Sequence, residues 1–357
     1  MIYTGESALD FLAGQLNDRD PSSSSYWNEV HSTFKFTGSG FEGLVGIGGT
    51  RGKYSGILKL ARLIFQFPFR MIGYKNFNNS FAKFDRVATI FTSRQNKEYD
   101  LGVLRHTLTL SFLAKHAQDF IGTLKTVCII GDGLASMTSQ FLANDLAKNV
   151  ILVNLNKTLL VDLWYLKKLL GDKKFESNVV LITDKTDLVN AEIFFAKNGV
   201  DHGRVIAIRA IDHIILRSAP IDVIVNIASM QEMDKKVIDA YFEDFFAISE
   251  KKDCVFYCCN RESKTLPDGS EINFSEYPWR DQDQIIVDEL CPWHQYYYHP
   301  KFPFYLPLDG VHRHRLSLFQ SSHKNPMQAT TSALQQSMPM GQGSAAIPAK
   351  PVVKYLS

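Results

Sequence analysis

The sequence has no strong excess of charge of either sign. Its 357 residues include 39 lysines and arginines against 37 aspartates and glutamates, which leaves a formal net charge of +2. A protein that attracts nucleic acid or anionic lipid through its overall field needs a larger imbalance. We therefore expect no nucleic acid among its partners, and any polyanion has to be recognised locally.

Long uninterrupted apolar runs are also missing. The stretch from Ile57 to Tyr74 is apolar but is broken by three basic residues and a proline, at Lys59, Arg62, Pro68 and Arg70. Because a spanning helix needs about 20 predominantly apolar residues, we expect a packing or interfacial helix without stable membrane insertion. The first 15 residues lack the basic segment, apolar core and cleavage site of a secretory signal. These features predict a cytoplasmic protein.

Cysteine is scarce and irregularly spaced. The sequence contains five thiols, at Cys128, Cys254, Cys258, Cys259 and Cys291, without the paired CxxC spacing of a structural zinc site. Cys291 and His294 could supply two ligands, but a structural zinc usually takes four. We interpret the cysteines as reduced, mostly strand-buried thiols and predict no metal ligands. A divalent metal site remains an alternative only because histidines cluster in the sequence, with Asp309 as a possible ligand.

The first 120 residues predict a mainly helical N-terminal region that caps a second domain. Apolar residues recur at helical spacing between about residues 95 and 120, at Leu101, Leu104, Leu108, Phe112 and Leu113. The glycine-rich stretch from Gly38 to Gly56 lacks the GxxxxGK[ST] pattern of a phosphate loop. We favour a flexible connector there.

Short β-rich runs separated by helical stretches begin near Thr126. The strand candidates are residues 127–131, 150–154, 179–183, 205–208, 222–226, 254–260 and 315–320, and the helix candidates include 134–148, 157–170 and 234–248. Such alternation predicts an α/β, Rossmann-like domain with a largely parallel sheet over residues 121–321. Residues 322–357 are rich in Ser, Gln, Met, Pro, Ala and Gly, and we expect a flexible tail.

A glycine pair marks the end of the first strand of this domain. In IIGDGLAS, Gly131 and Gly133 allow a sharp turn and close approach of a ligand to the backbone at the start of the next helix. A nucleotide-type pocket fits there, although glycine in such a turn can also serve packing alone. A dinucleotide site would prefer GxGxxG and an acid ending the second strand. Because the third glycine is absent and the second strand ends in Asn154, the pattern argues against NAD.

Several segments together resemble a known family. These are IIGDG, VNLNKTLLVDLWYLKK, VIVNIASMQEM with a downstream Tyr241, and CCNRESKTLPDG followed by FSEYPW. The combination, over roughly residues 100–320, resembles the sugar O-methyltransferases encoded in bacterial glycan gene clusters. The resemblance implies a class I methyltransferase sheet, S-adenosylmethionine (SAM) as methyl donor, and a hydroxyl of a sugar, nucleotide sugar or glycan precursor as acceptor.

The resemblance also implies roles for individual residues. Gly131, Asp132 and Gly133 would border the methionine part of SAM, and Asn154 the ribose. Asn226, Ser229, Gln231 and Glu232 would lie beside the reacting centre, where we assign Asn226 and Ser229 to the cofactor and Gln231 to the substrate. For the adenine side, Asp184 and Asp212 each follow a strand candidate, and we lean toward Asp212 because its segment directly precedes the fourth strand.

Methyl transfer to a sugar hydroxyl requires a general base or a metal, because the hydroxyl is too weak an acid to ionise alone at neutral pH. Glu232 is the first candidate, with His294, His299 and His312 behind it. Glu232 could equally be a carboxylate that stabilises the following helix. Aromatic, histidine-rich segments downstream suit a sugar ring or an ordinary packing lid, and from them we choose Trp279, Tyr297 and His299 as substrate-binding candidates.

Three other functions remain open from the sequence. An NAD-dependent oxidoreductase would share the fold, and a non-catalytic SAM-binding subunit would account for Asn154 and the missing glycine. A glycosyltransferase would need an acidic pair, for which Asp281 and Asp283 supply a short DxD match. Assembly into a homo-oligomer is possible.

Overall fold

A computed structural model of the chain describes residues 1–18, 20–38, 40–43, 57–299 and 301–321. Most of the glycine-rich connector and the whole of the predicted tail lie outside these residues. The helices are α1 (Gly5–Gly14), α2 (Ser25–Val30), α3 (Ile57–Arg94), α4 (Leu101–His116), α5 (Ser136–Ala143), α6 (Asn156–Leu170), α7 (Asp172–Asn178), α8 (Asp187–Lys197) and α9 (Lys235–Ser249).

The strands fall into one large sheet and three small hairpins. They are β1 (Tyr3–Thr4), β2 (Lys35–Phe36), β3 (Phe41–Glu42), β4 (Gly122–Ile130), β5 (Ala147–Asn154), β6 (Val179–Ile182), β7 (Arg204–Arg209), β8 (Val223–Ile227), β9 (Cys254–Arg261), β10 (Ser263–Thr265), β11 (Glu271–Asn273), β12 (Gln284–Leu290), β13 (Tyr296–Tyr298), β14 (Tyr305–Pro307) and β15 (His312–Phe319). The small hairpins pair β2 with β3, β10 with β11, and β13 with β14.

The large sheet has the strand order β1-β6-β7-β5-β4-β8-β9-β15-β12. The six strands from β6 to β9 in this order run parallel, and most of their Val, Ile and Leu side chains are buried on both faces, as in a sheet covered by helices on each side. The predicted Rossmann-like α/β sheet is confirmed. The strand next to β9 is the antiparallel strand β15, whereas the dinucleotide-binding order continues with a parallel strand at this place.

The N-terminal helices pack on one face of this sheet. Side chains of α3 and α4, including Phe81, Phe91, Leu104 and Leu108, share a core with Val127 and other residues of the central strands. All five apolar positions predicted for the helix near residues 95–120 are buried, although α4 starts only at Leu101. The mainly helical character of this region is confirmed. Among the described residues, no helix is both long enough and apolar enough to cross a membrane.

The opposite face is covered by α8 and α9. Phe195 of α8 and the aromatic side chains Phe242 and Phe245 of α9 pack with Ile206 and Phe256 of the sheet. Each parallel strand is thus followed by a chain segment on one face or the other. This arrangement brings the loops after the parallel strands to a single edge of the sheet.

Two element boundaries differ from the sequence predictions. The helix predicted over 134–148 is only α5, because Asp145 adopts a left-handed conformation (φ 59°) and the chain enters β5 at Ala147. The apolar helix predicted to end at Tyr74 continues to Arg94, with a bend at Asn78, whose φ is 43°. The end of α5 before Asp145 and the bend at Asn78 both use residue types that tolerate positive φ better than other side chains do.

Candidate functional site: a cavity at the carboxyl edge of the sheet

A cavity of about 410 Å³ lies beyond the carboxyl ends of β4, β5, β7 and β8. The strand order reverses at β4, and open α/β sheets bind their ligands at this kind of reversal. The volume falls in the range of small-molecule sites, about 300–1,000 Å³. Its lining is Ser22, Trp27, Lys97, Asp100, Gly102, Val103, Arg105, His106, Ile130, Gly131, Asp132, Gly133, Leu134, Ser136, Val153, Asn154, Leu155, Thr158, Ala210, Ile227, Ala228, Ser229, Glu232, Met233, Val237 and Tyr241.

The predicted glycine turn forms part of the cavity wall. Gly131 and Gly133 have φ values of 75° and 83°, and the Gly131 N–H donates to the Val153 carbonyl oxygen at 2.9 Å. A Cβ atom on Gly131 would lie 1.9 Å from Ser229 Oγ, whereas one on Gly133 would meet no atom within 4 Å. Gly131 is therefore required for the close approach of the loop after β8. The turn is open toward Gly133 and is not packed shut.

Asp132 occupies the N-terminus of α5. Its Oδ1 accepts the Met137 N–H at 2.8 Å and its Oδ2 accepts the Thr138 N–H at 2.7 Å. These are among the donors that a helix leaves unpaired at its first turn, and a dinucleotide pyrophosphate would use such donors. Because a carboxylate already satisfies them, the cavity offers a fixed negative charge at the position where a phosphate would bind.

Two alanines beside the cavity have left-handed backbones. Ala135 has φ 49° and Ala228 has φ 53°. Hydrogen bonds hold both in place, because the Ala135 N–H donates to Asp162 Oδ1 at 2.7 Å and the Ala228 N–H donates to the Cys259 carbonyl oxygen at 2.7 Å. Conformations of this kind cost free energy in residues with a side chain, and they cluster at functional sites. Their position here supports a binding role for the cavity.

Asn154 ends β5 and lines the cavity, as the sequence suggested. Its Nδ2 donates to Asp162 Oδ2 at 2.8 Å, and its Oδ1 accepts the Leu155 N–H at 3.0 Å. Burial, with Asp132 nearby, raises the pKa of Asp162 well above its usual range. The Asn154 amide is thus oriented by a buried acid, and it keeps one N–H and one lone pair for a ligand.

Four polar residues of the cavity escaped the sequence analysis. Lys97 and Asp100 lie in the connection between α3 and α4, and Arg105 and His106 lie in the first turns of α4. Lys97 Nζ donates to the Leu134 carbonyl oxygen at 3.2 Å, and burial lowers the pKa of Lys97 to about 8. His106 Nδ1 is buried, and no described residue hydrogen-bonds it. In the sequence, the polar run NKEYD at residues 96–100, between two apolar helices, is the feature that indicates this wall of the cavity.

Glu232 lies between the first cavity and a second one. Its carboxylate borders the first cavity and accepts from Lys264 Nζ at 2.7 Å, and the Tyr26 hydroxyl also hydrogen-bonds it. Burial raises the pKa of Glu232, although Lys264 opposes the shift. The second cavity, of about 950 Å³, is lined by Tyr26, Lys264, Arg261, Asp309 and neighbouring residues. The ion pair of Glu232 and Lys264 therefore has one partner in the lining of each cavity.

Asn226 and Gln231 are buried and bind other parts of the protein. Asn226 Nδ2 donates to the Ile130 carbonyl oxygen at 3.0 Å, and Asn226 Oδ1 accepts from Asn260 Nδ2 at 2.9 Å. Gln231 Oε1 accepts the Arg261 N–H at 2.7 Å. Neither side chain lines a cavity, and both hold the loop after β8 against β9. Ser229, in the same loop, does line the first cavity.

The adenine-side candidates separate in the structure. β7, the strand before Asp212, pairs with β5, while β6, the strand before Asp184, lies one place further out. The choice between the two strands therefore favours the segment of Asp212. Its carboxylate, however, accepts from Arg209 Nε at 2.6 Å, and Ala210 is the residue of this segment that lines the cavity.

None of the remaining site candidates lines either of the two cavities. His294 and His312 are buried, with ring centroids 5.6 Å apart. Trp279 packs its ring against Phe256 in the core beside α9. Tyr297 and His299 belong to the exposed region of the β13–β14 hairpin, so the structure does not bring these five candidates to Glu232. In the DxD match, Asp283 pairs with Arg280 at 2.7 Å.

No family model and no curated protein match the chain. Among solved structures, it is similar to the O-methyltransferase TomG of Streptomyces achromogenes, which was solved with SAM and is involved in tomaymycin synthesis. The identity is 12% over 73% of this chain and 99% of that one, with a TM-score of 0.32.

Two further solved structures are similar at the same level. A candidate RNA methyltransferase of Pyrococcus horikoshii has 14% identity over 60% of this chain and 82% of its own, with a TM-score of 0.34. The glycopeptide N-methyltransferase MtfA, solved with SAM, has 12% identity over 63% and 75%, with a TM-score of 0.24. At these scores the likenesses carry no argument about function, which has to come from the cavity itself.

Proposed function

We propose that the protein is a SAM-dependent O-methyltransferase whose acceptor is a hydroxyl of a sugar or nucleotide sugar. The proposal depends chiefly on one observation. The cavity at the reversal of the strand order has the Asp132 carboxylate in the place where a nucleotide phosphate would otherwise bind the start of α5. A ligand that combines an adenosyl group with a positive charge suits this arrangement.

The first cavity has both kinds of surface that SAM requires. Apolar side chains from Val153, Leu155 and Met233 suit the adenine ring, and Asn154 keeps hydrogen-bonding capacity for the ribose. Asp132 and Asp100 supply negative charge for the sulfonium and amino groups. Charge complementarity of this kind favours a cation over a dinucleotide, whose two phosphates would meet the Asp132 carboxylate.

The second cavity is the candidate acceptor site. It presents the half-buried ring of Tyr26 together with hydrogen-bonding groups from Arg261, Ser263, Lys264 and Asp309. A sugar has a rim of hydroxyl groups, and each can donate and accept. A polar cavity with both cationic and anionic side chains matches this chemistry better than it matches a flat apolar acceptor.

Glu232 is the proposed general base. It borders the donor cavity, and its partner Lys264 lines the acceptor cavity, so a hydroxyl that displaces Lys264 would reach the carboxylate. The hydroxyl oxygen forms a bond to the methyl carbon, the C–S electron pair stays on sulfur as a thioether, and the hydroxyl proton moves to Glu232. Alignment of the two reactants contributes much of the acceleration. His106, with its unbonded Nδ1, is the alternative base in the donor cavity.

Isothermal titration with SAM, S-adenosylhomocysteine and NAD tests the donor assignment. We expect micromolar binding of the first two compounds and none of NAD. In a methyl-transfer assay with nucleotide sugars, Glu232→Gln should retain SAM binding and lose transfer. Glu243→Gln is the matched acidic control, because Glu243, on α9, pairs with Arg217 and lines neither cavity. Binding of NAD without SAM would refute the proposal.

Two outcomes would redirect the function without changing the fold. SAM binding with no transfer to any glycan extract would favour a non-catalytic binding subunit. Cleavage of a UDP-sugar with manganese would favour a glycosyltransferase. The Arg280 pairing of Asp283 argues against the latter, since that carboxylate would have to leave its partner to bind the metal.

A further inference from the structure

A buried cluster of sulfur and nitrogen ligands lies behind the donor cavity. Cys259 comes from β9, and Cys291 and His294 come from the turn that follows β12. The side chains of Cys259 and Cys291 are fully buried, and His294 is 4% exposed. None of the three borders either cavity, and the proposed methyl transfer does not use them.

The three ligand atoms already have the spacing of a tetrahedral metal site. His294 Nδ1 lies 3.4 Å from Cys291 Sγ and 3.6 Å from Cys259 Sγ, and all three atoms are within 4.8 Å of one another. Zinc bonds of about 2.3 Å to sulfur and about 2.0 Å to nitrogen, at tetrahedral angles, put the sulfur and nitrogen about 3.5 Å apart. The observed distances match this value closely.

The backbone around the cluster is well fixed. The His294 N–H donates to the Cys291 carbonyl oxygen at 3.1 Å, which closes a tight turn, and the Cys291 N–H donates to the His312 carbonyl oxygen at 2.9 Å. Cys259 lies on the adjacent β9, whose pairing with β15 sets its position. The spacing is therefore a property of the sheet and of this turn, and it does not depend on a mobile loop.

A guanidinium group lies beside the cluster. The half-buried Arg105 guanidinium donates to the Trp293 carbonyl oxygen at 2.9 Å and interacts electrostatically with Cys259 and Cys291. A cation at this position stabilises the sulfur atoms once they lose their protons.

We propose that Cys259, Cys291 and His294 bind a structural zinc ion. A fourth ligand has to complete the site, and we propose His312, whose ring centroid lies 5.6 Å from that of His294, for this role. Two thiolates and two imidazoles form a closed set that selects zinc among the common divalent metals. The ion would tie β9 to the turn that Arg105 also contacts, and Arg105 lines the donor cavity.

The sequence alone did not indicate this site because the third ligand is distant. Cys291 and His294 form a CxxH pair, which by itself supplies two ligands, and Cys259 precedes it by 32 positions without a spacing that marks a pair. The sheet register brings Cys259 to the turn. A site assembled in this way has no linear motif.

Metal analysis of tag-free protein, purified without chelators, tests the proposal. We expect about one zinc per chain in the wild-type protein, and loss of most of it in Cys259→Ser and in Cys291→Ser. Cys254→Ser is the matched control, because Cys254 is an equally buried thiol on the same strand and is not in the cluster. This control should retain the wild-type zinc content.

Cobalt substitution gives a second readout that needs no variant. Wild-type protein reconstituted with Co²⁺ should show the intense visible bands of tetrahedral coordination and the ultraviolet thiolate-to-cobalt band. Wild-type protein that holds neither zinc nor tetrahedral cobalt would overturn the proposal, even if the serine variants fail to fold. A Cys259–Cys291 disulfide, seen as a mass two hydrogens lower, would also overturn it. SAM titration is a separate measurement, so this inference and the proposed function can fail independently.

Discussion

Substitution of Gly131 by alanine should destabilise the fold by two separable effects. The first is backbone strain, since φ is 75° there and a left-handed conformation costs a residue with a side chain about 1–2 kcal/mol. The second is overlap with Ser229, whose Oγ would lie 1.9 Å from the new methyl carbon and whose Cβ would lie 2.5 Å from it. Overpacking of this kind costs about 1–3 kcal/mol. We therefore expect a loss of about 2–5 kcal/mol for Gly131→Ala, from these two ranges together.

Gly133→Ala is the matched control for this substitution. Gly133 has a similar φ of 83°, but a Cβ atom there meets nothing within 4 Å. Only the backbone term applies, about 1–2 kcal/mol. The difference between the two variants measures the overlap with Ser229. The double variant Gly131→Ala with Ser229→Gly should recover the overlap term and keep the strain, when it is compared with Ser229→Gly alone.

Urea unfolding followed by circular dichroism measures all four variants. A change in stability appears as a shift of the midpoint at constant slope. If Gly131→Ala proves as stable as Gly133→Ala, or if Ser229→Gly recovers nothing, the loop after β8 does not pack on the glycine turn. The geometry that forms this wall of the cavity would then be wrong.

Three further predictions concern single ionisable groups. Burial lowers the pKa of His31 from 6.5 to about 4, so the unfolded chain binds a proton more readily than the folded protein does. The contribution of His31 to the free energy of unfolding is therefore intact above pH 6.5 and falls by up to about 3 kcal/mol as the pH drops toward 4. Urea midpoints of wild type and His31→Gln at pH 7.5 and pH 4.5 measure this fall. An equal acid sensitivity of the two proteins would refute this. Glu232→Gln should lower the rate of methyl transfer about 10²–10⁴-fold. Lys264→Met removes the group that opposes the raised pKa of Glu232, so it should move the acid limb of the pH–rate profile to higher pH. An acid limb that stays in place or moves to lower pH would exclude Glu232 as the base. Asp132→Ala should lower the free energy of unfolding in urea by about 0.5–2 kcal/mol, because α5 loses its cap. The same variant should bind SAM more weakly, and an unaltered SAM affinity would contradict the charge argument.

The parallel strands could be predicted from the sequence because each is a short run of buried β-branched residues. The runs at 150–154 and 205–208 lie inside β5 and β7, and the glycine turn after β4 lies where the sequence places it. In these segments local propensity and burial on both faces favour the same structure. The short edge strands and β12 lack this signal, because one side of each is exposed.

The walls of the cavity were less predictable, because their side chains come from distant parts of the chain. Lys97 and His106 precede the segments on which the family resemblance rests. Only the packing of α4 on the sheet brings them to the glycine turn. Conversely, the histidines near residue 300 are concentrated in sequence, but His294 and His312 fold into the core behind the cavity and His299 lies near the surface. Clustering in sequence did not indicate proximity to Glu232.

The central claim is that the space between the glycine turn and Ala210 holds the adenosyl donor. A crystal structure of the protein with S-adenosylhomocysteine tests this most directly. We expect the ligand in the cavity of about 410 Å³, with its sulfur nearer to Glu232 than its adenine is and its amino group beside Asp132 or Asp100. A ligand bound elsewhere on the protein, with this cavity filled by rearranged side chains, would contradict the account.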